Sequence, residues 1–397
     1  MRRVGIITEY NPFHSGHAAQ IAAARSRGAQ SVAAVMSGSF VQRGSPAVFS
    51  KFVRARAALQ NGVDLLAELP APWAAAGADR FAEGGVALLA AMGCDTLCFG
   101  AECADAAALA ALAALLEDPA FDAALRARHT RGGGSLASLR AALAEAQLPG
   151  AAALLAGPNN SLAVAYLRAA RRLGLNFEIL ALPRLGAGHD APLGDGGAIA
   201  SAGALRALIL AGRFEKARAY LPADAADLYA AELAAGRVLE ERAFSLSLLT
   251  RLRCMGASDF DALPGAGGEG LTHLLARTAQ QAAGAQELYD RLKSKRYTHA
   301  RLRRLALAAY LGLTDDLPAL PPYLRLLGGS ERGLTDLPGR IGGVGIPVFQ
   351  SLAKLARLPG DAGRVAAIEA RAGALWSLCL QTPQSADGEF TEKFIRV

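Results

Sequence analysis

The chain has 397 residues, enough for two or three domains that each bury a core. Hydrophobic residues make up 52%, much of it alanine, and no uninterrupted apolar run reaches the ~20 residues of a membrane span; the stretch behind Met1-Arg2-Arg3 is also too short for a signal peptide, so a cytoplasmic protein without a membrane partner is expected. The net charge of +7 suits a polyanionic partner, nucleic acid first. The five cysteines, Cys94, Cys98, Cys103, Cys254 and Cys379, are odd in number and lack zinc spacing, and read as reduced thiols.

Val4 to Ile7 reads as a buried strand, and Asn11-Pro12 ends it, because the residue before proline is driven out of the helical region. From His17 to Arg25 the chain reads as a helix. His14, Gly16 and His17 therefore sit where a strand hands over to a helix N-terminus. There an α/β sheet offers free N–H groups and a dipole end to phosphate. Gly16 leaves room for close approach, and imidazoles can donate to phosphoryl oxygens as charge develops. Zinc would need further ligands, and no His-x-x-x-His or Cys-x-x-Cys pair supplies them, so no metal site is expected in the protein.

His14-Ser15-Gly16-His17 resembles the HxGH signature of nucleotidylyl transferases. The longer string Glu9-Tyr10-Asn11-Pro12-Phe13-His14-x-Gly16-His17 resembles the tRNA(Met) cytidine acetate ligase family, which acetylates N4 of the wobble cytidine. The resemblance implies an ATP site containing Ile7, Thr8, Glu9, Tyr10, Asn11, Pro12, Phe13, His14, Ser15, Gly16 and His17, with His14 and His17 catalytic.

Val32 to Met36 reads as a second strand. A glycine- and serine-rich loop follows, then a helix from Lys51 capped by Ser50, then a third strand over Val63 to Glu68. This block resembles the family's SGxFVQRG…K…RA…GVD…ELP. It makes Lys51 a catalytic candidate and Arg43 and Arg54 candidates for phosphate or RNA. Ala74 to Ala91 reads as a helix broken near Gly84-Gly85. Thr96 to Gly100 is a fourth strand, whose FGxE-like turn implies that Gly100 lies against the nucleotide.

Pro158 opens a helix through Arg172, and the family's PNNxL element assigns Asn159 and Asn160 to ATP. Phe177 to Leu182 is a fifth strand. Arg184 follows in a segment resembling KRxGAGYHD, with Pro183 in the lysine's place and the tyrosine missing before His189-Asp190. A guanidinium there can fork onto phosphate. Ser201 and Arg206 resemble the transferases' serine- and arginine-bearing second signature, with Gly203 in place of a threonine.

Strands alternating with helices to about residue 210 indicate a doubly wound, parallel-sheet α/β domain over residues 1–210, which the resemblance implies is a Rossmann-like nucleotidyltransferase domain. Strand signals then fade, and residues 211–397 read as a mainly α-helical domain. It holds the densest cationic run, Arg291, Lys293, Lys295, Arg296, Arg301, Arg303 and Arg304 around Tyr297, similar to the family's KSKRYTxxRxRR. Cations there can follow a phosphate backbone while the tyrosine stacks on a base. The glycine-rich stretch 340–348 has no evident task.

The resemblance implies that acetate is activated by ATP, with Mg²⁺, as acetyl-adenylate and passed to elongator tRNA(Met), the basic region holding the tRNA. Oligomeric state is not legible. Two alternatives stay open: a small-molecule adenylyltransferase of cofactor synthesis, and a non-catalytic RNA-binding protein on a transferase scaffold.

Overall fold

The computed structural model describes residues 2–130, 135–184, 199–265, 270–294, 297–335, 337–341 and 344–397. Five strands, β1 (Arg3–Thr8), β2 (Ser31–Ser37), β3 (Leu65–Leu69), β4 (Thr96–Ala101) and β5 (Glu178–Pro183), lie in the spatial order β3-β2-β1-β4-β5, all parallel. Ile6 of β1 faces Ala34 on one side and Cys98 on the other. The chain leaves β1 toward β2 and later returns to β4 on the opposite flank. The crevice at the carboxyl ends of β1 and β4 is therefore the switch point where doubly wound sheets bind ligands. Every residue of β1 is buried, as its apolar run requires.

Five helices frame this sheet: α1 (Ser15–Ser26), α2 (Lys51–Gln60), α3 (Ala78–Ala91), α4 (Pro158–Arg172) and α5 (Ala202–Leu210). The expected break at Gly84-Gly85 is not there. A separate turn, Ala71–Ala74, precedes an uninterrupted α3. The two glycines serve close packing. A Cβ on Gly84 would lie 2.7 Å from the Trp73 ring, and one on Gly85 2.7 Å from Ile7.

The expectation that strands end near residue 210 is corrected. The middle of the chain is helical, including α6 (Ala285–Leu292) and α7 (His299–Leu311). Then β6 (Leu324–Gly329) joins the sheet antiparallel to β3. β7 (Val348–Phe349) and β8 (Ile395–Arg396) pair parallel with β6, and α8 (Gly360–Ser377) lies between them in sequence. A boundary at residue 210 thus does not separate sheet from helices.

A buried charge cluster marks this return. Lys51 of α2 meets Glu68 of β3, Glu389 at 2.6 Å and Glu369 of α8 at 3.4 Å. Arg325 of β6 reaches Glu68 at 2.8 Å and Glu389 at 2.7 Å. Two cations thus face three carboxylates with almost no solvent. Burial works against the charge on Glu68, but Lys51 and Arg325 outweigh it and hold its pKa well below the usual carboxylate range. Glu369 goes the other way. Burial, then the charge of Glu68, raises its pKa far enough that it keeps its proton, which balances the cluster at two charges of each sign.

At pH 5, Glu369→Gln, which mimics the protonated acid, should change unfolding free energy by less than about 1 kcal/mol. Glu68→Gln should cost about 3–5 kcal/mol, because it strands buried cations. The native state holds the Glu369 proton above the unfolded pKa, so this group's contribution falls as pH rises from about 5 to 8. Glu369→Gln should therefore gain on wild type over that range. Denaturant melts at pH 5 and 8 measure both effects, and equal losses in the two variants would refute the assignment.

Candidate active site

The chain leaves β1 at Thr8 and turns sharply. Tyr10 has φ of +44°, a left-handed conformation uncommon for a tyrosine, and Asn11-Pro12 is cis. Packing over-determines this turn. The Tyr10 ring stands edge-on to Phe13 at 4.9 Å and to His17 at 4.8 Å. Asn11 accepts the Val48 N–H through Oδ1 at 2.9 Å, and its carbonyl accepts from Arg206 at 2.9 Å. Phe13 N–H donates to the Tyr229 hydroxyl at 2.9 Å, and Ser15 Oγ donates to the Tyr220 carbonyl at 2.8 Å. The motif is thus clamped from behind by residues between 206 and 229.

His14 is the N-cap of α1, which begins at Ser15 rather than near His17. Its Nδ1 accepts the Gly16 N–H at 3.0 Å, and Nδ1 of His17 accepts the His14 N–H at 3.2 Å. The rings lie 3.8 Å apart. Burial, then Arg184 and Arg206, pushes the His14 pKa down to about 4. Burial, then His14 and Arg184, takes His17 well below its ordinary value. Both rings are therefore neutral. With Nδ1 accepting in each, the single ring proton sits on Nε2. The pair presents two N–H donors and no vacant acceptor. Gly16 is needed for the ring itself, since a Cβ there would lie 2.8 Å from His14 Cε1.

These residues border a cleft of about 470 Å³. Of the residues expected at an ATP site, it brings together Ile7, Thr8, Glu9, Tyr10, Asn11, His14, Gly16, His17, Gly100, Asn159 and Arg184. Arg184 is fixed at the sheet edge by its N–H to the Ala101 carbonyl at 3.0 Å. A Cβ at Gly100 would meet nothing within 4 Å, so this strand end gives the cleft a side-chain-free wall. Pro12, Phe13 and Ser15 shape the turn without lining the cleft.

Other candidates are placed elsewhere. Lys51 is not in the cleft, because its ammonium is enclosed by three carboxylates. Arg54 is equally buried and structural. It donates to the carbonyls of Phe49 at 3.1 Å, Glu9 at 2.6 Å and Ser37 at 3.1 Å, and to that of Gly38. Asn160 is buried with Oδ1 accepting the Cys103 N–H at 3.0 Å. Ser201 caps α5 through the Ala204 N–H at 3.1 Å. Arg206 holds the motif turn and also places its charge near His14.

Glu102, two residues after Gly100 in the same turn but given no role in the sequence reading, accepts from Asn159 N at 3.1 Å, Asn159 Nδ2 at 2.6 Å and Asn160 N at 2.7 Å. Burial opposes its charge, but these bonds prevail and keep its pKa low. Asn159 is thereby oriented at the start of α4. Sequence reasoning also missed the apolar end of the cleft, Phe81, Phe99, Leu162, Tyr166 and Leu182, together with Gln20, Arg27 and Gln42. Phe99 adjoins Gly100, which was the one available signal.

Among the basic residues, Arg291 pairs with Glu287 at 2.6 Å, while Lys293 and Arg301 are exposed. Tyr297 is buried, with Arg301 over its ring at 5.0 Å, so it is a packed residue rather than an open stacking platform. Arg303 lies over Tyr289 at 5.5 Å, and Arg304 is half-buried beside it. Lys295, Arg296, His189 and Asp190 lie outside the described residues, as does part of the 340–348 stretch. The loop after β2 links this region to the cleft. Gln42 borders the cleft, and Gly44, with φ of +78°, packs so tightly on α7 that a Cβ would lie 2.7 Å from the Arg303 backbone.

Comparison with known proteins places this geometry. Residues 1–390 match the family model described as HIGH Nucleotidyl Transferase. A tRNA(Met) cytidine acetate ligase of Syntrophotalea carbinolica is 40% identical over 344 residues, covering 84% of this chain and 81% of that protein. One from Lysinibacillus sphaericus is 31% identical, covering 100% of both. The crystal structure of Thermotoga maritima TmcAL (apo) superposes with a TM-score of 0.91 at 28% identity, and the form bound with alpha-thio ATP with 0.88, each covering 100% of both chains.

Gly100→Val should weaken binding of an ATP analogue at least about tenfold without lowering the melting temperature, since its side chain enters open space; calorimetric titration and a thermal melt read the two. In NMR titrations of the free protein, His14 should protonate only near pH 4 and His17 well below its ordinary value of 6.5. Their contribution to stability is whole above pH 6.5 and is lost as pH falls toward 4. A bound triphosphate should raise both values. An imidazole titrating near 6.5 in the free protein would contradict the neutral pair.

Proposed function

The chain belongs to the tRNA(Met) cytidine acetate ligase family of HIGH nucleotidyl transferases, and on that footing we propose that it uses ATP to activate acetate and acetylates N4 of the wobble cytidine of elongator tRNA(Met). The observation that carries the mechanism is the pair of neutral imidazoles at the switch-point cleft, both donating through Nε2.

Acetate is a stable anion and a poor acyl donor. In the first step its carboxylate attacks the α-phosphorus of ATP, pyrophosphate leaves, and acetyl-adenylate remains. This needs positioning and charge stabilisation rather than a covalent protein nucleophile. His14 and His17 donate to phosphoryl oxygens as negative charge grows on them. Neutral rings keep these donors fixed, because neither nitrogen is free to take a proton. Arg184 and Arg206 supply the positive field that draws the triphosphate in, the same field that depresses the His14 pKa. Gly100 lets the nucleotide lie against the strand end. Asn159, its amide nitrogen held by Glu102, offers its carbonyl oxygen to a nucleotide amine or hydroxyl.

Among the described residues no group of three His, Cys, Asp or Glu side chains could hold a metal ion. A Mg²⁺ ion brought in with ATP would supply charge that neutralises the phosphates. In the second step the cytidine amine attacks the acetyl group. Lys293, Arg301 and Arg303 form a basic face that suits the anticodon arm, and the Gln42–Gly44 loop joins that face to the cleft. A cofactor-making adenylyltransferase would leave this face without a task. No helix among the described residues is long and apolar enough to cross a membrane.

Unmodified tRNA(Met), ATP, Mg²⁺ and isotope-labelled acetate should yield labelled N4-acetylcytidine by nucleoside mass spectrometry. His14→Ala/His17→Ala should lower the rate at least about 10³-fold while tRNA affinity holds. Arg301→Glu/Arg303→Glu should weaken tRNA binding about tenfold or more, in a salt-dependent way, yet leave acetate-dependent pyrophosphate release intact. Full activity in the double-histidine variant would overturn the site assignment.

A further inference from the structure

The acetyl-transfer step has a proton to dispose of. The amine nitrogen forms a C–N bond to the acetyl carbon, and the C–O bond to AMP breaks. AMP departs with the bonding pair, and one N–H proton must leave the nitrogen. A nucleobase amine is a weak nucleophile, so an acceptor in hydrogen-bond reach of that proton matters.

The histidines cannot be that acceptor, since each Nδ1 already accepts a backbone N–H and each Nε2 carries the ring proton. Glu102 cannot serve either, because its two oxygens take three N–H groups of Asn159 and Asn160. Glu9 remains. It is the one carboxylate among the described residues that line the cleft. Its Oε1 accepts the Gln42 N–H at 3.0 Å, and no hydrogen bond from a described residue reaches Oε2. Its own carbonyl is held by Arg54 at 2.6 Å, so the side chain springs from a fixed point. Among the described residues, Arg54 of α2 and Tyr166 of α4 feel its charge.

Position supports the same role. A carboxylate would repel an anionic triphosphate, so its place in this cleft calls for a partner that offers a donor. Glu9 is tied through Gln42 to the loop whose Gly44 packs on the backbone of Arg303, within the basic face. It thus stands between the phosphate-binding histidines and the side from which that face would deliver a nucleobase.

We propose that Glu9 takes the proton from the attacking exocyclic amine during acetyl transfer; this rests on the function proposed above. Glu9 acts as the base in the second step, and its basicity is not used in the first.

Glu9→Gln keeps an oxygen for the Gln42 N–H and removes the basic site. Hydroxylamine, a strong nucleophile needing no base, traps acetyl-adenylate as acetohydroxamate and reports the first step alone. In the variant, acetylation of saturating tRNA should fall about 10²–10⁴-fold, at least about tenfold more than hydroxamate formation falls. A parallel fall in both products would assign Glu9 to the nucleotide or its ion and overturn the proposal, and so would unchanged tRNA acetylation. If wild type forms neither product, the ligase reading itself fails.

Discussion

The cleft depends on one buried guanidinium. In a parallel sheet the carbonyls at the strand ends lose their ladder partners just where a ligand must bind, and buried carbonyls without donors are costly. Arg54 answers this for three of them and for one carbonyl of a loop. It collects the carbonyls of Glu9 after β1, of Ser37 and Gly38 at the end of β2, and of Phe49 before its own helix. Burial lowers its pKa only to about 10, so it stays charged. One turn earlier on the same helix, Lys51 anchors Glu68, Glu369 and Glu389. The first turn of α2 therefore fixes the catalytic edge of the sheet with one cation and ties in the C-terminal elements with another.

On that frame the motif divides its labour. The backbone of the turn orients the imidazoles, and the imidazoles in turn satisfy the backbone. Each ring accepts an N–H that the start of α1 would otherwise leave unpaired. The hydrogen bond that caps the helix is the same one that sets the tautomer. This reciprocity explains why the HxGH spacing is so tight. The glycine must leave room for the ring at His14, and the second histidine must sit three residues on to reach the cap.

Much of this was legible in the chain. The apolar run Val4 to Ile7, the break at Asn11-Pro12 and the helix after it locate the motif turn, and Gly100, Asn159 and Arg184 come to the same cleft as expected. What the sequence hid was direction. Lys51 and Arg54 follow the second strand as phosphate-binding cations often do, yet both turn inward, because their partners lie at Glu369 and Glu389 or on backbone carbonyls. Asn160 looks like its neighbour Asn159, but helical geometry sends it into the core toward Cys103. The glycines at 84 and 85 read as breakers, since only the approach of Trp73 and Ile7 shows why a side chain is excluded. The strand Leu324–Gly329 carries little local pattern and owes its state to β3, far away in sequence.

That distant strand bears on how the protein is made. The buried contacts of Lys51 join it to the carboxyl of Glu369, 318 residues away, and to the carboxylate of Glu389 beyond that. As the chain emerges from the ribosome, the five-strand sheet can form with β3 as an open edge, its buried cation only half answered. The edge closes only once Leu324–Gly329 has been synthesised, and the charge is balanced only when Glu389 has followed. Nascent chains therefore spend most of their synthesis with an exposed, pairing-competent strand, the kind of surface that chaperones cover. The protein's assembly is thus timed by residues near Glu369 and Glu389, although the motif turn lies within its first seventeen residues.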